Sequence, residues 1–135
     1  MTRTVADVMH VGVTTCAPDA LLMDVARWMD ADDISAIPVV DREGFLIGII
    51  TRTDLLTLLG YDEYWRTLCA EHAMTREVVT VTPEQPLLAA VQLLAARRIH
   101  RLIVVEPDAS GRQHPIGVLS QTDIAREMVN AAQHA

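Results

Sequence analysis

Apolar residues along the chain fall into two rhythms, one with the period of a helix and one with that of a strand. Leu22, Val25, Ala26 and Met29 stand at i, i+3, i+4 and i+7, while Asp24, Arg27, Asp30 and Asp32 take the opposite, wet side. That spacing predicts an amphipathic helix. The rhythm then changes: Ile37-Pro38-Val39-Val40 and Phe45 to Ile50 are β-branched runs joined by Asp41-Arg42-Glu43-Gly44. Runs bounded by turn residues in this way predict a buried hairpin. A second helix is predicted from Thr51 onward, with Gly60 suited to its C-terminal cap. A short extended piece, Val11 to Thr15, precedes the first helix.

The same order of elements then returns. Met9, Thr15, Pro18, Ile34 and Val39-Val40 are answered by Met74, Thr80, Pro83, Ile99 and Val104-Val105, each 65 positions on. The helix face answers at the same offset, as Leu87, Ala90, Val91 and Leu94. From Gly48 the offset is 69, which sets Gly48, Thr53 and Asp54 against Gly117, Thr122 and Asp123. The four extra residues fall between Pro107 and Pro115, in a turn-rich loop of the kind that tolerates insertion. The chain is an internal duplication. We read residues 1–60 as the first unit, 61–70 as a linker, helical in part over Tyr61 to Arg66, and 71–135 as the second.

A unit of about 60 residues buries too little surface to stand comfortably alone. The expected fold is therefore α/β: two small sheets with flanking helices, packed face to face across a pseudo-twofold axis. Crevices on either side of that axis, rimmed by helix N-termini, would suit a small anion.

Composition narrows the partners. Half the residues are hydrophobic and only 4% aromatic, so the core is aliphatic. The net charge of −7, with no long basic run, argues against a nucleic-acid surface, whose affinity comes from Lys and Arg on phosphates. No window approaches the 18 apolar residues of a membrane span, and the first residues carry no apolar signal region, so a soluble, cytoplasmic protein is expected. Cys16 and Cys69 can be two buried thiols as easily as a disulfide. Cys69-Ala70-Glu71-His72 has half the spacing of a zinc site, but the second half does not follow, and no metal is expected.

The stretch that carries chemistry occurs twice. Gly48-Ile49-Ile50-Thr51-Arg52-Thr53-Asp54 and Gly117-Val118-Leu119-Ser120-Gln121-Thr122-Asp123 each read as a buried strand running into the first turn of a helix. A hydroxyl opens that turn and a carboxylate follows three positions later. Those groups gather where a helix leaves its N–H groups unpaired and its dipole positive. On their own they read as capping boxes, with Thr51 and Ser120 as N-caps and Asp54 and Asp123 answering them.

These stretches, the order of elements and the run Ile34-Ser35-Ala36-Ile37-Pro38-Val39-Val40-Asp41 resemble a tandem pair of cystathionine-β-synthase (CBS) domains, a Bateman module. Ile99-His100-Arg101-Leu102-Ile103-Val104-Val105 resembles the corresponding run in the nucleotide-sensing gamma subunits of AMP-activated kinase. The resemblance spans roughly Asp7 to Glu127 and leaves no room for an attached catalytic domain.

The resemblance implies a regulatory module that binds an adenosine nucleotide of the AMP, ADP or ATP class, with no catalytic residues and no cofactor. Asp54 and Asp123 would take ribose hydroxyls, for which an acceptor-only carboxylate is suited. Thr51 and Thr53, or Ser120 and Thr122, would line ribose and phosphates. One base slot would use Ile34, Ser35 and Ala36 with Val118, and the other Ile99 and His100 with Ile49. Thr14 and Pro38 complete the implied ligand-lining set. His100 and Arg101 would hold phosphate, Arg by its fixed fork of donors. Ile103 stands where the first unit has Pro38, and Ala36 brings no charge where Arg101 does, so the two crevices should differ. A homodimer and a downstream protein partner are also implied. The alternative is a homodimeric interaction scaffold whose capping boxes are purely structural.

Overall fold

The structure is a computed structural model that describes residues 3–60 and 62–133; the linker expectation at Tyr61 falls outside them. The chain divides into two compact units: Val13–Val78, and Met1–Gly12 together with Val79–Ala135. They are called here the central and the terminal unit, for their places in the sequence.

In the terminal unit, α1 (Val5–Val8) and β1 (His10–Val11) are followed, past the central unit, by β4 (Thr80–Val81), α5 (Leu87–Arg97), β5 (Arg101–Pro107), β6 (Gln113–Ser120) and α6 (Gln121–Gln133). Its strands form one sheet in the order β1-β6-β5-β4. The β5/β6 hairpin is antiparallel, with Arg101 opposite Ser120 and Ile103 opposite Val118, and β4 joins β5 in parallel. The central unit holds α2 (Leu22–Asp32), β2 (Ala36–Val40), β3 (Leu46–Thr51), α3 (Arg52–Leu59), a 3-10 turn over Asp62–Thr67, and α4 (Ala70–Ala73). Its β2/β3 hairpin sets Ala36 opposite Thr51 and Pro38 opposite Ile49. Single bridges replace the outer strands: Cys16 pairs with Val39 in parallel, and Thr75 pairs with Ile49 antiparallel. Both hairpins slip register at the same place, between Val39 and Val40 and between Val104 and Val105. The duplication therefore extends to the bulge.

The compact units are not cut where the sequence repeats. In the terminal unit the amides of Val5 and Ala6 donate to the carbonyls of Gln85 and Pro83 (2.9 Å each), and Leu87 N–H donates to Arg3 O (2.9 Å). In the central unit Ala70 and Glu71 donate to Ala20 and Pro18 (2.8 and 2.9 Å), and Leu22 donates to Leu68 O (3.1 Å). The opening turn of each repeat thus satisfies backbone groups at the start of the other repeat's first helix, which has no side-chain cap of its own. For the same reason the extended piece expected over Val11 to Thr15 is divided. Val11 pairs with Gly117 in the terminal sheet, while Cys16 pairs in the central one.

Each unit has its own aliphatic core. Leu22, Val25, Met29, Ile37, Val39 and Ile50 close the central one; Val5, Val81, Ala90, Leu94, Leu102, Val104 and Leu119 close the terminal one. Full burial of one such side chain contributes about 1.5–3 kcal/mol, so the period-3.6 and β-branched faces of the sequence are what hold each unit together. Helix α3 stops at Gly60, as its cap position predicts, but with ordinary right-handed backbone. The left-handed caps fall on Asp33 after α2 and Arg98 after α5, at φ 50° and 54°.

Candidate ligand-binding motifs

Both motif turns fold as capping boxes. Thr51 N–H and Oγ1 donate to Asp54 Oδ2 (2.8 and 3.1 Å), and Asp54 N–H returns a bond to Thr51 Oγ1 (3.3 Å). Ser120 and Asp123 repeat it, at 2.9, 3.0 and 3.2 Å. In each box both bonds to the carboxylate fall on Oδ2. The side chain of Asp123 is 17% exposed, and its Oδ1 lies 4.0 Å from Arg126 Nη1. A carboxylate has roughly four acceptor positions, so capping leaves Oδ1 with capacity for hydroxyl donors. Thr53 and Thr122 stand exposed one residue further into the first turns of α3 and α6.

The strand starts lie beside these turns. In the terminal unit Gln121 N–H donates to His100 O (2.9 Å), and the Gln121 side chain lies against His100 Nδ1 (3.3 Å) and donates to Ile99 O (3.4 Å). Arg101, half-buried, sits across the ladder from Ser120. His100, Arg101, Ser120, Thr122 and Asp123 are thereby gathered at the N-terminus of α6, where backbone N–H groups and the helix dipole favour an anion.

The central unit repeats the arrangement with other side chains. Arg52 N–H donates to Ser35 O (3.0 Å), and Ala36 sits across from Thr51. Sequence reasoning gave the Ser35 and Ala36 positions no charge and counted Arg52 among the local donors; Arg52 stands at the position of Gln121. Its guanidinium is paired to Asp33 Oδ1 at 3.0 Å. The signal was in the sequence as the residue between the two motif threonines. Its partner was not, because Asp33 reaches it from the left-handed cap of α2.

The remaining expected residues fall within the two units as follows. Ile34, Pro38 and Ile49 belong to the central hairpin and its approach, with Pro38 buried and the other two half-buried; Thr14 is exposed. Ile99 and Val118 are half-buried in the terminal unit. The motif glycines serve packing: a Cβ on Gly48 would lie 2.6 Å from Met74 Sδ, and one on Gly117 2.5 Å from His10 O.

The Cys69-x-x-His72 spacing is a third kind of cap. Cys69 N–H donates to His72 Nδ1 (2.9 Å), the counterpart of Thr4 N–H on Asp7 Oδ2 (2.8 Å) in the terminal unit. Both cysteines are free thiols, and burial pushes Cys16 up to about 11. Among the described residues, no helix is long and apolar enough to cross a membrane.

The CBS-domain family model matches residues 5–61 and again 70–130. The chain belongs to the CBS-domain family, as a tandem pair. It is 32% identical to the CBS domain-containing protein YhcV of Bacillus subtilis, over 90% of this chain and 82% of that protein. It is 31% identical to homoserine O-acetyltransferase of Methanococcoides burtonii and 29% identical to the gamma-3 subunit of human 5'-AMP-activated protein kinase. Those matches cover 90% and 94% of this chain but 23% and 27% of the relatives, so the chain spans about a quarter of their length. Among solved structures, CBSX2 in complex with AMP is 25% identical with a TM-score of 0.81, covering 96% of this chain and 98% of that one. The CBS domain pair of MJ0100 in complex with 5'-methylthioadenosine and S-adenosyl-L-methionine is 26% identical with a TM-score of 0.79, covering 93% and 98%.

Proposed function

We propose that this chain is a cytoplasmic regulatory module that binds an adenosine nucleotide, has no catalytic activity of its own, and passes the state of the site to a protein partner. The observation that carries the reading is the cluster at the start of α6. Asp123 keeps one carboxylate oxygen beyond its capping bonds, and His100 and Arg101 stand on the adjoining strand start. Acceptor, hydroxyls, imidazole, guanidinium and helix N-terminus together suit ribose and phosphate. The complexes of CBSX2 with AMP and of MJ0100 with adenosyl ligands support adenosine as the shared part. Thr14, Ile34, Ser35, Ala36 and Pro38 remain the proposed base-lining residues of the central unit, with Thr51, Thr53 and Asp54 as its proposed sugar contacts. Ile99 and His100 are the proposed base-lining residues of the terminal unit.

The completeness of both capping boxes favours a second reading, a scaffold that binds nothing. Thermal unfolding with AMP, ADP, ATP and S-adenosylmethionine separates the two. A ligand at 100 times its Kd adds about 2.7 kcal/mol, whereas a scaffold shows no shift. Mass spectrometry of ligand released from the purified protein identifies which adenylate it carries.

A homodimer belongs to the same proposal. Leu88, Met128 and Val129 are exposed on α5 and α6, beside a groove of about 480 Å³ lined by Leu87, Val91 and Ile124. The matching groove of the central unit, lined by Leu22, Ala26 and Leu55, is about 140 Å³ and has Trp65 against it. Twofold association is the default way to cover such a face. Light scattering that returned the 14.9 kDa of a single chain at micromolar concentration would count against it.

A further inference from the structure

Helices α2 and α5 hold the same place in the two repeats but differ on their outer side. Asp24, Arg27 and Asp30 of α2 are answered, 65 positions on, by Ala89, Gln92 and Ala95 of α5. From Leu87 to Ala96, α5 carries no charged residue. A helix that is apolar all round is one that is covered all round. Its inner side is accounted for by Ala90 and Leu94, which are buried in the core of the terminal unit. Its outer side is not, since Leu88, Ala95 and Ala96 stand exposed. Leu88 borders the groove of about 480 Å³ lined from α5 and α6, and Met128 borders it from the α6 side. The two charged residues of that lining, Arg3 and Glu127, are bonded to each other at 2.9 Å.

We infer that this face is where two copies of the chain meet, terminal unit against terminal unit, with Leu88 and Met128 in the contact, and that the central unit takes no part in holding the pair. The inference rests on the homodimer reading above and names its face. In a twofold contact one surface meets itself, so a net charge on that surface repels its own copy. The terminal face meets this condition, because the outer side of α5 is uncharged and Arg3 and Glu127 neutralise each other within one copy. The central face does not, because α2 sets three carboxylates, Asp24, Asp30 and Asp32, against one guanidinium, Arg27. The central groove is also only about 140 Å³, with Trp65 against it. Leu56 is exposed there, but it shares its surroundings with Asp30 and Arg52. A single apolar residue among charges is ordinary protein surface, whereas a contiguous apolar face is not. A contact made by one unit with its own copy closes around the twofold axis without a second contact elsewhere.

Sedimentation velocity at micromolar concentration on the wild type, Leu88→Asp, Met128→Asp and Leu56→Asp tests this. The three residues are 66%, 69% and 70% exposed in the single chain, so each new carboxylate leaves the core of its unit untouched and becomes costly only when a second copy buries it. The wild type should sediment as twice the 14.9 kDa chain. Leu88→Asp and Met128→Asp should each weaken self-association by about a hundredfold or more, since both copies then bury an unpaired charge in one contact. Leu56→Asp should leave self-association unchanged. Circular dichroism establishes that each variant is folded, and either terminal variant alone suffices if the other is not. A wild-type dimer that survives the terminal substitutions, or one that Leu56→Asp dissociates, overturns the inference and leaves the homodimer standing. A wild type that remains a single chain overturns the homodimer reading and this inference with it, and assigns the apolar face to a different protein.

Discussion

Gly117 lies against the backbone of His10 so closely that a Cβ on it would sit 2.5 Å from the His10 carbonyl oxygen. The equivalent Gly48 meets only the Met74 side chain, at 2.6 Å from its Sδ. A methionine can swing aside, whereas a paired strand cannot. Gly117→Ala should therefore destabilise the protein by about 1–3 kcal/mol, the usual range for overpacking, and Gly48→Ala by less. Urea denaturation of the two variants checks the order, and equal losses would contradict it.

Arg98 ends α5 in the left-handed region without being glycine. A side chain there costs about 1–2 kcal/mol, part of which glycine gives back through the greater freedom of its unfolded chain. Arg98→Gly should raise stability by about 0.5–1 kcal/mol. Asp33→Gly, at the same place after α2, should gain less because it also removes the Arg52 ion pair. That pair is largely exposed, so the difference will be small. Thermal unfolding of both variants measures it.

Cys16 is 5% exposed, and burial holds its thiol up to about 11. Near neutral pH it is a protonated thiol out of reach of reagent, so alkylation of the native protein should label Cys69 and spare Cys16 until the chain unfolds. Because folding raises this pKa, the sign is fixed: the folded state binds the proton more tightly, and stability falls as pH climbs above the unfolded thiol's range of about 8.5. Peptide mapping after iodoacetamide treatment in and out of denaturant decides the first point. Stability curves of the wild type and Cys16→Ala between neutral and alkaline pH decide the second.

What the sequence made legible was local and periodic. The face Leu22, Val25 and Met29, the hairpin runs and both capping boxes follow from spacing, and all appear in the structure. What it hid was exchange between repeats. The bonds from Val5 to Gln85 and from Ala70 to Ala20 join segments with no distinguishing composition, and only backbone groups take part. Backbone pairing leaves little side-chain signature, so the compact units could not be read from the repeat. The left-handed caps at Asp33 and Arg98 were hidden likewise, because neither residue advertises that conformation. Arg52 was visible, but its tie to Asp33 depends on one of those caps. The Cys69–His72 spacing suggested half a metal site only because a capping pair and a ligand pair share the same offset.

The proposed sites make unequal demands on the two motif carboxylates. Asp54 and Asp123 make the same capping bonds, so replacing either by alanine should cost similar stability, about 0.5–2 kcal/mol. Stability is therefore the control and binding is the readout. In the terminal unit Asp123 shares its corner with His100 and Arg101. In the central unit Asp54 shares its corner with Ser35 and Ala36, and the guanidinium of Arg52, two residues before it, is held by Asp33. A hydrogen bond to a charged group is worth about 1.5–3 kcal/mol, roughly ten- to a hundredfold in affinity. The tight site should thus be the one served by Asp123. Asp123→Ala and Arg101→Ala should each weaken nucleotide binding by about that factor, and Asp54→Ala should leave the tight phase of the isotherm nearly intact. Titration calorimetry on the three variants reads this directly. If Asp54→Ala does the damage, the two sites are assigned the wrong way round; if stability falls in both aspartate variants while all three bind as the wild type does, the boxes are only helix caps.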